Sequence, residues 1–152
     1  MSDPEAAAVS IRELYAGDTR LAHRTMRHLR PAYADEQEFV DYVDGVLRPA
    51  GYRLLGAFTP DHQAAVAVAG FRTGENLAWG RYLYVDDLST APDARRRGCA
   101  GALLEWLVEE ARGLGCAQLH LDSGTGAERF DAHRVYHAHG LSITSHHFAR
   151  RV

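Results

Sequence analysis

The chain has 152 residues, of which 46% are hydrophobic and 24% charged, the balance of one soluble globular domain. We therefore predict a single domain over residues 1–152, with residues 1–8 as a flexible tail. The net charge of −3, from 17 basic and 20 acidic residues, disfavours a nucleic-acid binder, which needs clustered positive charge. No apolar run approaches the ~20 residues that span a bilayer, and the acidic N-terminus has no signal pattern, so we expect a cytoplasmic protein that binds neither membrane nor nucleic acid.

The first half of the chain predicts two helices between strands. Residues 9–14 form a short first strand, and helices follow at 19–29 and 35–47, the second beginning with acidic residues that suit the positive end of a helix dipole. Residues 52–58 and 63–71 then form two strands of a hairpin, because β-branched and small apolar residues run between turn signals.

The second half of the chain continues the hairpin and then alternates helix and strand. We predict a third antiparallel strand at 78–88, a long amphipathic helix at 98–114, a strand at 118–122, a helix at 131–139 and a last strand at 143–148. The predicted order is β-α-α-β-β-β-α-β-α-β. This order indicates an α/β (α+β) domain with a mixed, mostly antiparallel, twisted sheet flanked by helices.

The most informative stretch is 82–102, where a strand enters a proline turn and three arginines and a glycine open a helix. The first N–H groups of a helix have no partner within the helix and attract anions. Small residues let a phosphate approach this backbone, and the arginines add forked donors. The residues concerned are Arg95, Arg96, Arg97, Gly98, Ala100 and Gly101. A solvated basic turn is the alternative interpretation; a P-loop and a dinucleotide fingerprint are both absent.

Two motifs in this sequence resemble those of the GNAT superfamily of N-acetyltransferases. Arg95-x-x-Gly98-x-Ala100 is similar to the family's acyl-CoA signature, and Ala132-x-x-x-Tyr136-x-x-x-Gly140 is similar to its second motif. The acidic pair Asp86-Asp87 before Leu88 has some resemblance to the diamine acetyltransferases. The resemblance covers nearly the whole chain and implies one acetyltransferase domain that uses acetyl-CoA as co-substrate.

The resemblance also implies where the donor binds. The backbone of Leu88, Ser89 and Thr90 would pair with the pantetheine arm. The motif residues Arg95, Arg96, Arg97, Gly98, Cys99, Ala100 and Gly101 would hold the pyrophosphate. The flanking residues Asp122, Ser123, Gly124, Arg129 and Ala132 would border the rest of CoA. Arg129 stands where many members carry asparagine, and Cys99 is interpreted as a small packing residue.

The implied reaction is direct attack of a primary amine of a small molecule on the thioester. Tyr136 would protonate the leaving thiolate, which suits a phenol because the two groups have nearby pKa values. Asp86 would help to deprotonate the amine, with Asp87 and water as alternatives. Strand alternation places Asp86 on the face of Tyr84 and Asp87 on the opposite face.

The remaining features of the sequence concern metal binding, the acceptor side, assembly and an alternative function. His133 and His137 are four residues apart on a predicted helix, but the zincin pattern is missing, so no metal is expected. The first two helices often border the acceptor site in this family, which makes Tyr33, Asp35, Glu36 and Glu38 candidates for attracting a cationic amine. Dimers are common in the family, so a homodimer is one assembly that the resemblance allows. The alternative function is a non-catalytic acyl-CoA-binding sensor or regulatory domain on the same fold.

Overall fold

The computed structural model describes residues 8–152, so most of the expected tail, residues 1–7, lies outside the described residues. Five strands form one sheet in sequence order: β1 (Ser10–Leu14), β2 (Arg53–Phe58), β3 (Ala67–Asn76), β4 (Gly80–Thr90) and β5 (Gln118–Leu121). The pairs from β1 to β4 are antiparallel and β5 is parallel to β4. The predicted mixed, mostly antiparallel sheet is therefore confirmed.

Four helices cover the sheet: α1 (His23–Leu29), α2 (Glu36–Tyr42), α3 (Cys99–Gly113) and α4 (Phe130–Ala138). The predicted long helices at 19–29 and 35–47 are less regular than expected. A 3-10 turn, Thr19–Ala22, precedes α1, and a π-helical turn, Val43–Leu47, follows α2. α2 begins at Asp35, whose side chain accepts the Glu38 backbone N–H at 2.9 Å and so satisfies one free donor.

Two apolar clusters hold these layers together, one on each face of the sheet. The first lies under α3 and includes Phe71, Leu83, Val85, Leu103 and Leu107, all fully or nearly fully buried. The second lies under α1 and α2 and includes Met26, Phe39, Tyr52, Leu54 and Val68. Because burial of apolar surface drives folding, the sheet is fixed from both sides. No helix among residues 8–152 is long and apolar enough to cross a membrane.

The predicted last strand at 143–148 is wrong for this chain on its own. Residues 142–152 adopt no regular structure and every one of them is exposed. A strand needs a neighbouring ladder to satisfy its backbone groups, and β5 pairs only with β4 among the described strands. The local strand preference of residues 143–148 therefore finds no ladder within the chain.

Candidate active site

A gap opens between β4 and β5, at one side of the sheet. The two strands pair from Tyr82 with Gln118 as far as Val85 with Leu121, but β4 continues to Thr90. On its other edge, β4 stays paired with β3 over this stretch, with Leu88 opposite Ala69. Within residues 8–152, the predicted donor-binding stretch of Leu88, Ser89 and Thr90 therefore has one backbone edge without a strand partner. An extended ligand can pair with such an edge.

The acidic pair lies at a bulge in β4. The register between β3 and β4 shifts at Gly70 and Phe71, so that Gly70 is opposite Asp87 while Phe71 is opposite Val85. A bulge inserts an extra residue and changes the alternation of side chains. Asp86 contacts Arg72, and Asp87 contacts Tyr52, which belongs to the cluster under α1 and α2. The expectation that the two aspartates face opposite sides of the sheet is therefore wrong.

The two carboxylates have different surroundings. Asp86 accepts two hydrogen bonds from the Arg72 guanidinium, at 2.9 and 3.2 Å. Asp87 is more buried, and it accepts hydrogen bonds from Arg30 Nε and from the Tyr52 hydroxyl, both at 2.8 Å. Arg30 also donates to the backbone carbonyl of Asp86 at 3.0 Å. α1 thus ends in an arginine that holds the bulge in place.

Tyr52 reaches Asp87 only because residue 70 is glycine. A Cβ placed on Gly70 would overlap the Tyr52 ring and hydroxyl. Burial, followed by the nearby Asp87 charge, raises the pKa of Tyr52 well above its ordinary value. Tyr52 therefore stays protonated and donates its hydrogen bond to the carboxylate. The sequence analysis did not identify Tyr52 or Gly70, although a glycine inside an apolar strand is a signal of close approach.

An open cleft of about 90 Å³ lies beside Asp87, between the sheet and the first two helices. Most of its lining is apolar or aromatic, and Tyr33 and Tyr42 stack at its side with ring centroids 5.4 Å apart. The lining residues are Met26, Arg30, Tyr33, Phe39, Tyr42, Val43, Leu47, Tyr52 and Asp87. Asp86 is not among them. The charged lining residues, Arg30 and Asp87, are paired with each other.

The arginine-rich loop before α3 has an unusual backbone. Arg96 adopts a positive φ of 65° and Gly98 one of 76°. Turns of alternating hand aim successive N–H groups into one concavity and form an anion-binding nest. No side chain caps the N-terminus of α3, so its first-turn amides remain free to bind an anion. Arg95, Arg96 and Arg97 are all exposed, and Arg97 lies 3.3 Å from Asp61.

Two of the motif's small residues have packing roles. A Cβ on Gly101 would lie 2.6 Å from Nε2 of His139, so this glycine lets the end of α4 pack onto α3. His139 in turn contacts Glu105 at 2.7 Å. Cys99 is buried in the cluster under α3, and burial raises the pKa of its thiol. Cys99 is therefore a protonated packing residue.

Tyr136 belongs to a small polar network at the start of α4. Its side chain is nearly buried, and its hydroxyl accepts a hydrogen bond from Arg129 at 3.2 Å. Arg129 also donates to the Ser123 hydroxyl at 3.4 Å. His133 hydrogen-bonds to the same hydroxyl and to the carbonyl of Gly124. The structure therefore brings together Ser123, Gly124 and Arg129, three of the five residues predicted to border CoA. A fourth, Ala132, is half-buried on α4.

Asp122, the first residue after β5, is held by other contacts. Its carboxylate accepts a hydrogen bond from the Tyr84 hydroxyl and lies 3.2 Å from Nδ1 of His147. His133 and His137 bind different partners, since His137 contacts the carbonyl of Leu141. Residues 8–152 contain no group of three or more His, Cys, Asp or Glu that could hold a metal ion.

Comparison with known proteins gives one family. The sequence model described as "Acetyltransferase (GNAT) family" matches residues 9–141, most of the chain. The comparison with curated proteins gives no significant match.

Several solved structures share the fold. The aminoglycoside N-acetyltransferase AAC(6')-Iy, in complex with CoA, superposes with a TM-score of 0.81 at 15% identity, over 99% of each chain. A ribosomal-protein-alanine N-acetyltransferase from Brucella melitensis biovar Abortus 2308 gives 0.78 at 20% identity, over 95% of this chain and 99% of that one. A Trypanosoma brucei acetyltransferase gives 0.76 at 20% identity, over 95% and 100%.

Proposed function

Because the chain belongs to the GNAT family of acetyltransferases, we propose that it transfers an acetyl group from acetyl-CoA to a primary amine of a small molecule. The observation that carries this proposal is the gap between β4 and β5, which leaves the edge of Leu88, Ser89 and Thr90 unpaired. This edge and the anion-binding nest before α3 form the proposed donor half of the site. The cleft beside Asp87 forms the proposed acceptor half. The AAC(6')-Iy structure, which holds CoA on the same fold, supports the donor assignment.

The donor half is proposed to bind acetyl-CoA through the backbone. The β4 edge pairs with the pantetheine arm, and its N–H groups polarise the thioester carbonyl. The amides from residues 96 to 101 hold the pyrophosphate, and Arg95, Arg96 and Arg97 supply positive charge. The remainder of the CoA molecule is bordered by Asp122, Ser123, Gly124, Arg129 and Ala132.

Tyr136 is the proposed acid. Its hydroxyl is fixed by Arg129, and a phenol can give its proton to the departing thiolate. The positive guanidinium of Arg129 beside this hydroxyl favours negative charge developing on the sulfur. Many family members carry asparagine at this position. In this chain, Arg129 is proposed to stabilise the charge that develops beside Tyr136.

The position of the cleft favours one of the two aspartates as the group that orients and deprotonates the amine. Strand alternation and the resemblance favoured Asp86, but Asp87 is the aspartate that lines the cleft. We therefore propose that Asp87 orients the amine and helps to remove its proton. Asp86 is paired with Arg72 outside that lining.

The lining of the cleft suggests an acceptor class. Aromatic and aliphatic side chains dominate it, and Asp87, which is paired with Arg30, is its one carboxylate. A polycation would find one paired carboxylate and little else to bind. We propose a monoamine carried on an apolar body, such as an arylalkylamine, because burial of a ring in the cleft is favourable by about 2 kcal/mol.

The experiment that tests the function combines calorimetry with a thiol-release assay. We expect acetyl-CoA to bind with a micromolar dissociation constant, about −8 kcal/mol. We expect kcat/KM for 2-phenylethylamine to exceed those for ethylamine and spermidine by about tenfold or more, since about 1.4 kcal/mol corresponds to tenfold. Absence of acetyl-CoA binding would overturn the proposed donor site, and a preference for spermidine would overturn the acceptor class.

The two aspartates form a matched pair of variants. Asp87→Asn is expected to lower kcat/KM by about 100-fold, because it removes the charge that orients and deprotonates the amine. Asp86→Asn is expected to lower it by less than about tenfold, since exposed ion pairs such as Asp86 with Arg72 contribute little. Steady-state rates and melting temperatures of both variants provide the comparison. If Asp86→Asn lowers kcat/KM more than Asp87→Asn does, Asp86 rather than Asp87 is the residue that orients and deprotonates the amine.

A further inference from the structure

Arg30 is the one cationic residue in the lining of the cleft beside Asp87. It directly follows α1, and its side chain is 48% exposed. Its Nε donates to Asp87 at 2.8 Å and its Nη2 donates to the backbone carbonyl of Asp86 at 3.0 Å. Within residues 8–152, no side-chain hydrogen bond uses Nη1 of Arg30. Because a guanidinium carries five N–H donors in a planar fork, Arg30 retains donors for a ligand in the cleft.

The charges that line the cleft are balanced before an acceptor enters. Arg30 and Asp87 are its one cation and its one carboxylate, and the two Asp87 oxygens accept hydrogen bonds from Arg30 and from Tyr52. An ammonium group that arrives at Asp87 makes this single carboxylate serve two cations. A carboxylate on the same ligand restores one anion for each cation, which matters because a charge withdrawn from water without a partner is costly.

The remaining lining and the spacing of the two charges narrow the class of ligand. Tyr33 and Tyr42 stack at the side of the cleft, and Phe39 also lines it, so an apolar or aromatic group is favoured there. Arg30 and Asp87 are in direct contact at 2.8 Å. The amine and the carboxylate of a ligand that meets both must therefore also lie close together, as they do when both are bonded to one carbon.

We propose that the acceptor is an α-amino acid with an apolar or aromatic side chain, and that Arg30 binds its carboxylate. This inference rests on the proposed function and names the acceptor class within it. The amine nitrogen forms a bond to the acetyl carbon while the C–S bond of the thioester breaks. The amine gives one proton to Asp87 and the thiolate takes one from Tyr136, so the products are an N-acetylamino acid and CoA.

Thiol-release kinetics with three related amines test this proposal. L-Phenylalanine carries the carboxylate, L-phenylalaninamide replaces it with an uncharged amide, and 2-phenylethylamine lacks the group. With kcat/KM expressed for the neutral amine, we expect the value for L-phenylalanine to exceed each of the other two by about tenfold or more, because a charge-assisted hydrogen bond is made to the carboxylate alone. L-Phenylalaninamide also resembles the first residue of a peptide. A preference for it would indicate a peptide N-terminus as acceptor and would overturn the proposal.

Variants of Arg30 test whether this residue carries the preference. Arg30→Gln is expected to reduce the ratio of kcat/KM for L-phenylalanine to that for 2-phenylethylamine to about twofold or less. The ratio is the readout because loss of Arg30 also disturbs Asp87, which lowers both rates. Arg30→Lys keeps the positive charge and should retain part of the preference. Arg27→Gln is the matched control, since Arg27 is exposed on α1 outside the lining of the cleft, and it should keep the full ratio.

The possible outcomes separate this proposal from the proposed function. Acetylation of 2-phenylethylamine with no preference for L-phenylalanine would overturn the amino-acid proposal and leave the proposed function standing. A preference that survives in full in Arg30→Gln would also overturn it. If the protein binds acetyl-CoA but acetylates none of the three amines, the proposed acceptor class fails and this inference fails with it. Should Arg30→Gln not fold, the three amines with the unaltered protein and with Arg30→Lys decide the matter.

Discussion

Replacing Tyr136 with phenylalanine is expected to lower kcat by about 100- to 1,000-fold while acetyl-CoA affinity changes by less than about twofold. The variant removes only the hydroxyl, the proposed proton donor to the departing thiolate. The ring stays in place, and one hydrogen bond from Arg129 is lost. Thiol-release rates at saturating amine measure the chemical step, and calorimetry with CoA measures binding.

Tyr15→Phe is the control for the Tyr136 variant, because Tyr15 is 64% exposed and its hydroxyl contacts only Glu13. We expect its kinetics to match those of the unaltered protein. An unchanged kcat in Tyr136→Phe would contradict the acid role. A loss of acetyl-CoA binding instead would show that the hydroxyl acts in donor binding. Intact binding in a chain that acetylates no amine would favour the sensor alternative.

Replacing Gly70 with alanine is expected to have the largest effect on stability, a loss of about 3 kcal/mol in the free energy of unfolding. The added methyl would occupy the space of the Tyr52 ring, and Tyr52 is buried in the cluster under α1 and α2. Displacing the ring also breaks its hydrogen bond to Asp87. Because small displacements of a positioning contact can reduce rates about 100-fold, kcat/KM is expected to fall by a similar factor.

Gly113→Ala is the matched substitution for Gly70→Ala. It lies at the end of α3 with nothing near its Cβ position. In a helix, alanine is more favourable than glycine by up to about 1 kcal/mol, so this variant should be as stable as the unaltered protein or more so. Chemical denaturation measures both variants. Equal stability of Gly70→Ala and the unaltered protein would show that Tyr52 is not fixed over residue 70.

Much of the fold could be predicted because its signals are local. The apolar stripe of residues 98–114 became α3, and the turn residues around the hairpin placed β3 and β4 within a few residues. The candidate donor motif was also visible, since Arg95, Gly98 and Ala100 lie in one short stretch and the positive φ of Gly98 is a property that glycine supplies. Membership of the family rests on the sequence model that matches residues 9–141.

The surroundings of Asp87 could not be predicted, because they depend on contacts between distant residues. Tyr52 reaches Asp87 from 35 positions away, and no local pattern indicates such a contact. The bulge changes which face Asp87 occupies, and strand alternation alone gives the wrong answer there. The cleft is lined by residues of α1, α2 and β4 and by the turns that follow the two helices. Strand preference at 143–148 was visible, but no strand among the described residues pairs with this segment.

The bulge in β4 has a consequence for how this domain can diversify. Because one extra residue shifts the alternation of the strand, Leu88 packs with the cluster under α3, as Val85 does, while the aspartates between them contact side chains of the opposite face. Under the proposed function, a substitution at position 87 changes the chemistry presented to an acceptor, whereas Leu88 stays opposite Ala69 through the backbone ladder. Acceptor preference can therefore diversify at a single codon beside a donor-binding stretch that is held by its backbone.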